Sequence, residues 1–310
     1  MPLGIFAGLA TLDVIQQADR IPGPNEKITG HWQTMAAGGP AANAAVVFAA
    51  LGGQARLLTA LGTGPAARLV RADLENYGVE VIDVGPRTGD AAVSSAIITT
   101  ATGERSVVSS DAAGRSVPAP ASDQLGRLLA GAEVVLLDGH HPLLAVAASL
   151  EAAHQHIPVV LDAGRWRPVM EELLPAARAV ICSADFRVPG TRGAAESAAV
   201  VAARGAALVA VTRGGDPILW WEKGRTGQVR VPTVKVVDTL GAGDFFHGAF
   251  CWFLARPLLH TTERLAAAAE IAALRCTQLG PRGWLQDLQA PGPASPRSQT
   301  PASAQPPFNQ

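Results

Sequence analysis

Short apolar runs rich in β-branched residues alternate along this chain with longer Ala- and Leu-rich stretches. That rhythm predicts βαβ units around a mainly parallel sheet. Sheet strands are expected at Leu3 to Gly8, Arg56 to Ala60, Val134 to Leu137, Val159 to Asp162, Val180 to Cys182 and Leu208 to Val211. Helices are expected between them, at Ala41 to Leu51, Ala66 to Tyr77, Leu143 to His154 and Ala194 to Ala203. Two regions break the rhythm. One is Asp13 to Met35; the other is Ala91 to Ser109, where the runs at residues 94–100 and 105–108 flank Ala101-Thr102-Gly103-Glu104 as the arms of a hairpin would. Residues 1–288 read as one domain, and residues 289–310, rich in Pro, Ser and Ala with little apolar bulk, as a disordered tail.

Composition narrows the function classes. The chain has 310 residues, 48% of them hydrophobic, which is ample for a large core, and its net charge of −1 provides no electrostatic footprint for nucleic acid or an anionic membrane. Three cysteines, Cys182, Cys251 and Cys276, lie scattered in apolar surroundings without the spacing of a zinc site or a disulfide framework. No apolar run reaches the roughly 18 residues needed to span a bilayer, so a cytoplasmic protein is expected.

The stretch Asp238-Thr239-Leu240-Gly241-Ala242-Gly243-Asp244 followed by Phe245-Phe246-His247-Gly248-Ala249-Phe250 carries the most chemistry. Small residues open a buried helix there, so the N–H groups of Gly241, Ala242 and Gly243 are expected to be unpaired at a helix N-terminus, where the macrodipole favours an anion. Asp244 would stand beside that anion. A carboxylate so placed repels phosphate, and taking a proton from an attacking hydroxyl gives it a reason to be there; an ordinary capped Gly-rich turn is the plain alternative. Nearer the N-terminus, Gly38-Gly39-Pro40-Ala41-Ala42-Asn43 opens an Ala-rich helix, and Asp13 follows Gly8 at the expected end of the first strand. An acid, close-approaching glycines and an Asn with both donor and acceptor groups suit a polyol.

Cations around the transferred group are the next requirement. Arg105 lies in the hairpin, and Arg165, Arg167 and His140 follow strands on the sheet edge where ligands of open α/β sheets bind. Each has a plain alternative as a surface or packing residue.

The C-terminal string resembles the D-T-x-G-A-G-D signature of the ribokinase family, the phosphofructokinase B type carbohydrate kinases, and the Gly-Gly-Pro-Ala-Ala-Asn segment ending in Leu51-Gly52-Gly53 resembles its first signature. The resemblance covers roughly residues 3 to 285. It implies a three-layer α/β/α core with a mainly parallel central sheet, and a small β-sheet lid built from about residues 13–36 and 88–111. The implied activity is transfer of the γ-phosphoryl group of ATP, with Mg2+, to a hydroxyl of a small sugar. Asp244 would be the base and Gly241, Ala242 and Gly243 the anion hole; Asp13, Gly38, Gly39, Asn43, Arg105, Arg167 and His140 would bind the acceptor. Thr212 and Gly214, in a strand end resembling T-x-G-x-x-G, would bind nucleotide together with Gly241, Gly243 and Gly280. Adenine would lie near Glu263 to Gln278 and the turn Leu279-Gly280-Pro281-Arg282, and Asp238 would help build a monovalent-cation (K+) site. Two departures stand out: Pro217 replaces the last glycine of the nucleotide motif, and Phe186 falls where many relatives carry the Glu of N-x-x-E. Motif details resemble the ketose and sulfofructose kinases most. A nucleoside or pyrimidine-alcohol kinase of the same fold stays open, as does a non-catalytic sugar- or nucleotide-binding relative. Exposed lid edges leave a homodimer open too.

Overall fold

A computed structural model describes residues 1–111, 117–256 and 259–288. The tail expected to be disordered lies outside them. In chain order the elements are β1 (Leu3–Ala7), β2 (Thr11–Ala18), β3 (Trp32–Gly38), α1 (Pro40–Ala50), β4 (Gln54–Thr59), α2 (Pro65–Asn76), β5 (Val79–Asp83), β6 (Ala92–Thr99), β7 (Arg105–Ser109), α3 (Ser122–Leu129), β8 (Val134–Leu137), α4 (Pro142–His154), β9 (Val159–Ala163), α5 (Met170–Leu173), β10 (Ala177–Ser183), α6 (Ala194–Ala203), β11 (Leu208–Arg213), β12 (Asp216–Glu222), β13 (Arg225–Val229), α7 (Ala242–Leu254) and α8 (Thr261–Cys276).

Nine strands form one sheet in the order β13-β12-β11-β10-β9-β8-β1-β4-β5. From β5 to β11 all neighbours run parallel; β12 and β13 are an antiparallel extension at one edge. The winding direction reverses between β1 and β8, and at such a switch point the strands' carboxyl ends leave a crevice. Gly8, Asp138, Asp162, Ser183 and Thr212 all lie at or just past those ends.

Each face of the sheet buries its own core. Phe6, Leu57, Leu136 and Ile181 pack with α1, α2, α7 and α8, and Ile5, Val135, Leu161 and Val209 pack with α3, α4 and α6. Helix α1 has no polar face because it lies between the sheet and α7; all its residues from Ala41 to Phe48 are buried. Its alanines let α7 approach until a Cβ on Gly248 would overlap the Ala44 carbonyl. Pro40, Pro65 and Pro142 open three helices at the position where a missing N–H costs little.

The two segments that broke the sequence rhythm form a second sheet of four strands, β3-β2-β6-β7. Strands β6 and β7 are the expected hairpin, while β2 and β6 pair in parallel. This lid has a small core of Ile15, Ala96 and Ile98, closed by Trp32 and by Leu240 of the Gly-rich motif. Among the described residues no helix is long and apolar enough to cross a membrane. The three cysteines are unpaired, and Cys182 and Cys251 are buried.

Candidate active site

Helix α7 begins where the sequence places it. Gly241 caps it with φ at +75°, a left-handed conformation that suits glycine, and a side chain there would press on Phe245 at 3.2 Å and on the Asn43 amide at 3.4 Å. Among the described residues the N–H groups of Gly241 and Gly243 meet no acceptor, whereas that of Ala242, expected to be free, donates to the Thr239 carbonyl at 3.2 Å. This is a correction: the turn into the helix uses the middle donor, so the open cradle consists of the glycine N–H groups and the helix terminus.

Asp244, in the first turn of α7, meets the other end of the chain. The Asn43 side-chain amide donates to its Oδ2 at 2.9 Å, across 201 residues of sequence. Asn43 is held there because α1 packs directly against α7. Its Oδ1 is buried and unpartnered. Burial, and the Asp162 carboxylate behind it, push the Asp244 carboxyl up to about 6; the Asn43 hydrogen bond and the charges of His247 and Arg105 pull the other way. Asp162, next to last in β9, is itself raised by burial, with His247 Nδ1 at 3.4 Å from its Oδ2. Sequence reading missed both residues as site members. Their signal was available: an acid at a strand end, and a His one helical turn after Asp244.

Asp13, expected where the lid begins, lies inside β2, buried, because the lid strand starts two residues earlier at Thr11. Thr11 Oγ1 donates to it at 2.6 Å, and burial raises its carboxyl against the hydrogen bonds of Thr11 and Ser94. Gly38 lies beside it, where any side chain would collide with the carboxylate, and Gly39 has φ at +96° with its Cα turned against the Leu9 carbonyl. The Gly-Gly pair thus clears space for the acid and for the chain crossing over it.

Arg105 begins β7, exposed, close enough to act on the charge of Asp244. The hairpin turn before it docks onto the Gly-rich motif: Thr239 donates its N–H and its hydroxyl to the Gly103 carbonyl, each at 3.0 Å.

His140 and Arg167 form a separate cluster. His140 Nε2 is 2.8 Å from Asp111 and its Nδ1 is 3.1 Å from Asp138; Arg167 reaches Asp111 at 3.0 Å and also touches His140. Burial would lower the His140 ring, but the Asp138 and Asp111 carboxylates outweigh it and hold it at about 10, so it is cationic at neutral pH. Asp138 in turn accepts the Leu9 N–H at 2.8 Å and the Ala41 N–H at 3.3 Å, tying the cluster to the start of α1. His140 and Arg167 face a cleft of about 780 Å³ lined also by Gly139 and Trp166, and none of Asp13, Asn43 or Asp244 lines it. Arg165 is exposed nearby.

On the nucleotide side, Thr212 ends β11 with its hydroxyl on the Cys182 carbonyl at 3.3 Å, and Gly214 follows at the hairpin turn with φ at +61°. Pro217 lies in β12, where its carbonyl accepts from the Arg213 guanidinium. Phe186 is fully buried against Trp166, and Asp185 is exposed. Gly280, expected on the nucleotide side, is buried under Trp32 and donates its N–H to Asp238 at 3.0 Å.

The monovalent-cation expectation at Asp238 does not fit the donor set. Asp238 is fully buried; Oδ1 accepts the Leu240 N–H at 2.8 Å, and Oδ2 accepts the Gly280 N–H and the Arg275 guanidinium at 2.8 Å. A fixed cation from α8 occupies the place.

A carboxylate beside a helix N-terminus thus lies at the switch-point crevice of a parallel sheet and under a β lid. Residues 4–287 match the family model of the pfkB family carbohydrate kinases, and the chain belongs to that family of ATP-dependent phosphotransferases. It is 28% identical over 256 residues to the ATP-dependent ribose-1-phosphate kinase of Halopiger xanaduensis, covering 79% of this chain and 82% of the relative. It is 25% identical to the ketohexokinase of Mus musculus, over 88% and 95% of the two chains. The solved structure of Arabidopsis thaliana ribokinase complexed with ribose and ATP shares the fold, with a TM-score of 0.72 and 22% identity over 92% of this chain and 97% of that one.

Proposed function

We infer that this protein transfers the γ-phosphoryl group of ATP to a hydroxyl of a small sugar. The observation that carries this reading is the Asn43–Asp244 pair: a carboxylate poised near neutrality, with the unpartnered Asn43 Oδ1 beside it ready to accept a substrate hydroxyl. Asp244 takes the acceptor proton, the Gly241 and Gly243 N–H groups and the α7 terminus stabilise charge on the phosphoryl oxygens, and Arg105 adds a cation from the lid. Asp13, with Gly38 and Gly39 giving it room, accepts hydrogen bonds from other hydroxyls of the sugar. Mg2+ would be held mainly by ATP phosphate and water oxygens, and would neutralise charge on the transferred group.

A sugar fits better than a nucleoside. The aromatic rings of the N-terminal third are already engaged: Phe48 packs edge-on to Phe6 at 5.4 Å, Tyr77 lies under Arg282, and Trp32 covers Gly280. Rings engaged in this way favour a sugar over a stacked base. The relatives are named ribokinase, ATP-dependent ribose-1-phosphate kinase, ketohexokinase and deoxyribokinase, which leaves the acceptor to be found by assay.

A homodimer through the lid completes the reading. Met35, Val14, Ser95 and Val108 align across the outer lid face, with Met35 60% and Val108 78% exposed. A second copy burying this row would remove the apolar stripe. Sedimentation should give a dimer that Val108→Lys converts to monomer; a monomeric wild-type chain would remove this part.

The central test is coupled ADP release with ATP and Mg2+ across ketoses, aldoses, sugar phosphates and nucleosides. Turnover with one sugar, reduced about 10²–10⁴-fold in Asp244→Asn while ATP affinity holds, is expected. Undiminished turnover in that variant would remove Asp244 from the role of base.

A further inference from the structure

The family resemblance implies a monovalent cation beside the anion cradle, held in part by Asp238. This chain directs Asp238 and two backbone carbonyls at an arginine instead. Arg275, one residue from the end of α8, is fully buried. Its guanidinium donates to Asp238 Oδ2 at 2.8 Å, to the Gln278 carbonyl at 2.9 Å and, more weakly, to the Asp238 carbonyl at 3.4 Å. One carboxylate and two carbonyl oxygens thus converge on one planar cation. Its Cζ lies 5.5 Å from the ring centroid of Phe245, the residue after Asp244, and that ring also meets Trp284 edge-on with centroids 5.0 Å apart. Asp238 in turn fixes the loop into α7 by accepting the Leu240 N–H, and Gly280 secures the other end of the assembly. The charge and the geometry that an ion would supply to the cradle are both supplied by the chain.

We propose that Arg275 is a built-in replacement for an activating monovalent cation, so that this kinase holds its anion cradle in working order without K+ or Na+. A free ion could reach the same oxygens only by displacing a buried guanidinium that has no second carboxylate to move to among the partners it makes here. Arg275 is fully buried beneath the loop into α7. It is a positioning residue, acting through Asp238 and the loop that carries Gly241 and Gly243.

The inference rests on the kinase reading, and its test separates the two. Turnover and ATP affinity of the wild-type protein are measured in tetramethylammonium buffer and again with about 100 mM KCl, NaCl or CsCl at constant ionic strength, so that screening stays fixed. Less than about a twofold change in kcat and in KM for ATP is expected, because no ion enters the site. Activation of the wild type by about tenfold or more with K+ over tetramethylammonium would overturn the proposal. Melting temperature supplies a readout independent of catalysis: K+ should leave the wild type unmoved but raise Arg275→Met, in which Asp238 is left buried without its cation. Arg275→Lys should retain ion independence. If no acceptor is ever phosphorylated the kinase reading falls, while the melting arm still decides the ion question: a K+-dependent rise in the wild type overturns the proposal, and its absence there with a rise in Arg275→Met supports it.

Discussion

Asp244 is the residue at which local chemistry can be read most directly. Its carboxyl is driven up by burial and by Asp162, to about 6, and the reaction needs the ionised form. Activity should therefore be lost as pH falls through that value, giving kcat/KM an acid limb near pH 6 that an unperturbed aspartate would place about two units lower. Asp162→Asn removes the repelling charge and should shift the limb downward; a limb that stays in place would show that burial alone sets it. Arg275 is a second case. Removing its charge leaves a buried carboxylate alone, so Arg275→Met should cost about 3–5 kcal/mol of stability by denaturant unfolding. The sequence carried a signal for it, since Arg275 lies four residues after Ile271 and seven after Ala268, on the buried stripe of α8, where a charged residue needs a partner.

Between elements, the packing of α1 on α7 sets the catalytic geometry. Ala41, Ala42, Ala44 and Ala45 keep α1 narrow, and Gly248 offers no side chain where Ala44 crosses. Gly248→Val should force the helices apart, destabilising the fold by about 1–3 kcal/mol as overpacking does. Turnover should fall further than stability accounts for, because Asn43 would be drawn away from Asp244; the check is kcat measured at a temperature where the variant is still folded. Element types were legible in advance, since the sheet strands and helices expected from pattern are present with boundaries shifted by a few residues. Strands β12 and β13 were not expected: Trp220 and Trp221 alternate poorly with their neighbours, and the edge is made by hairpin pairing rather than by a helical crossover.

Across the molecule, lid and core are joined by charge as well as by apolar contact. Asp111, just past β7, accepts from His140 and Arg167 of the core, which bring its carboxyl down to about 2 despite desolvation. His140 is held at about 10, above its usual value, so the stability it contributes is fully present below pH 6.5 and is lost as pH rises through 10. Melting temperature should decline more steeply from pH 7 to pH 9.5 in the wild type than in His140→Gln. Equal slopes would mean that the imidazolium does not contribute to the tie.

The sequence alone determined the fold class, because periodicity is a local property, and its two motifs, which hold Asn43 and Asp244, carried the resemblance to the family. Only the tertiary structure decided what those motifs do to one another. It brought residues 201 positions apart to 2.9 Å, used the Ala242 N–H within the turn, moved His140 and Arg167 to a neighbouring cluster and closed the expected ion site with Arg275. Each of these depends on which helix lies against which and on where a long side chain ends, and those are set by the packing of the whole core rather than by any stretch of the chain.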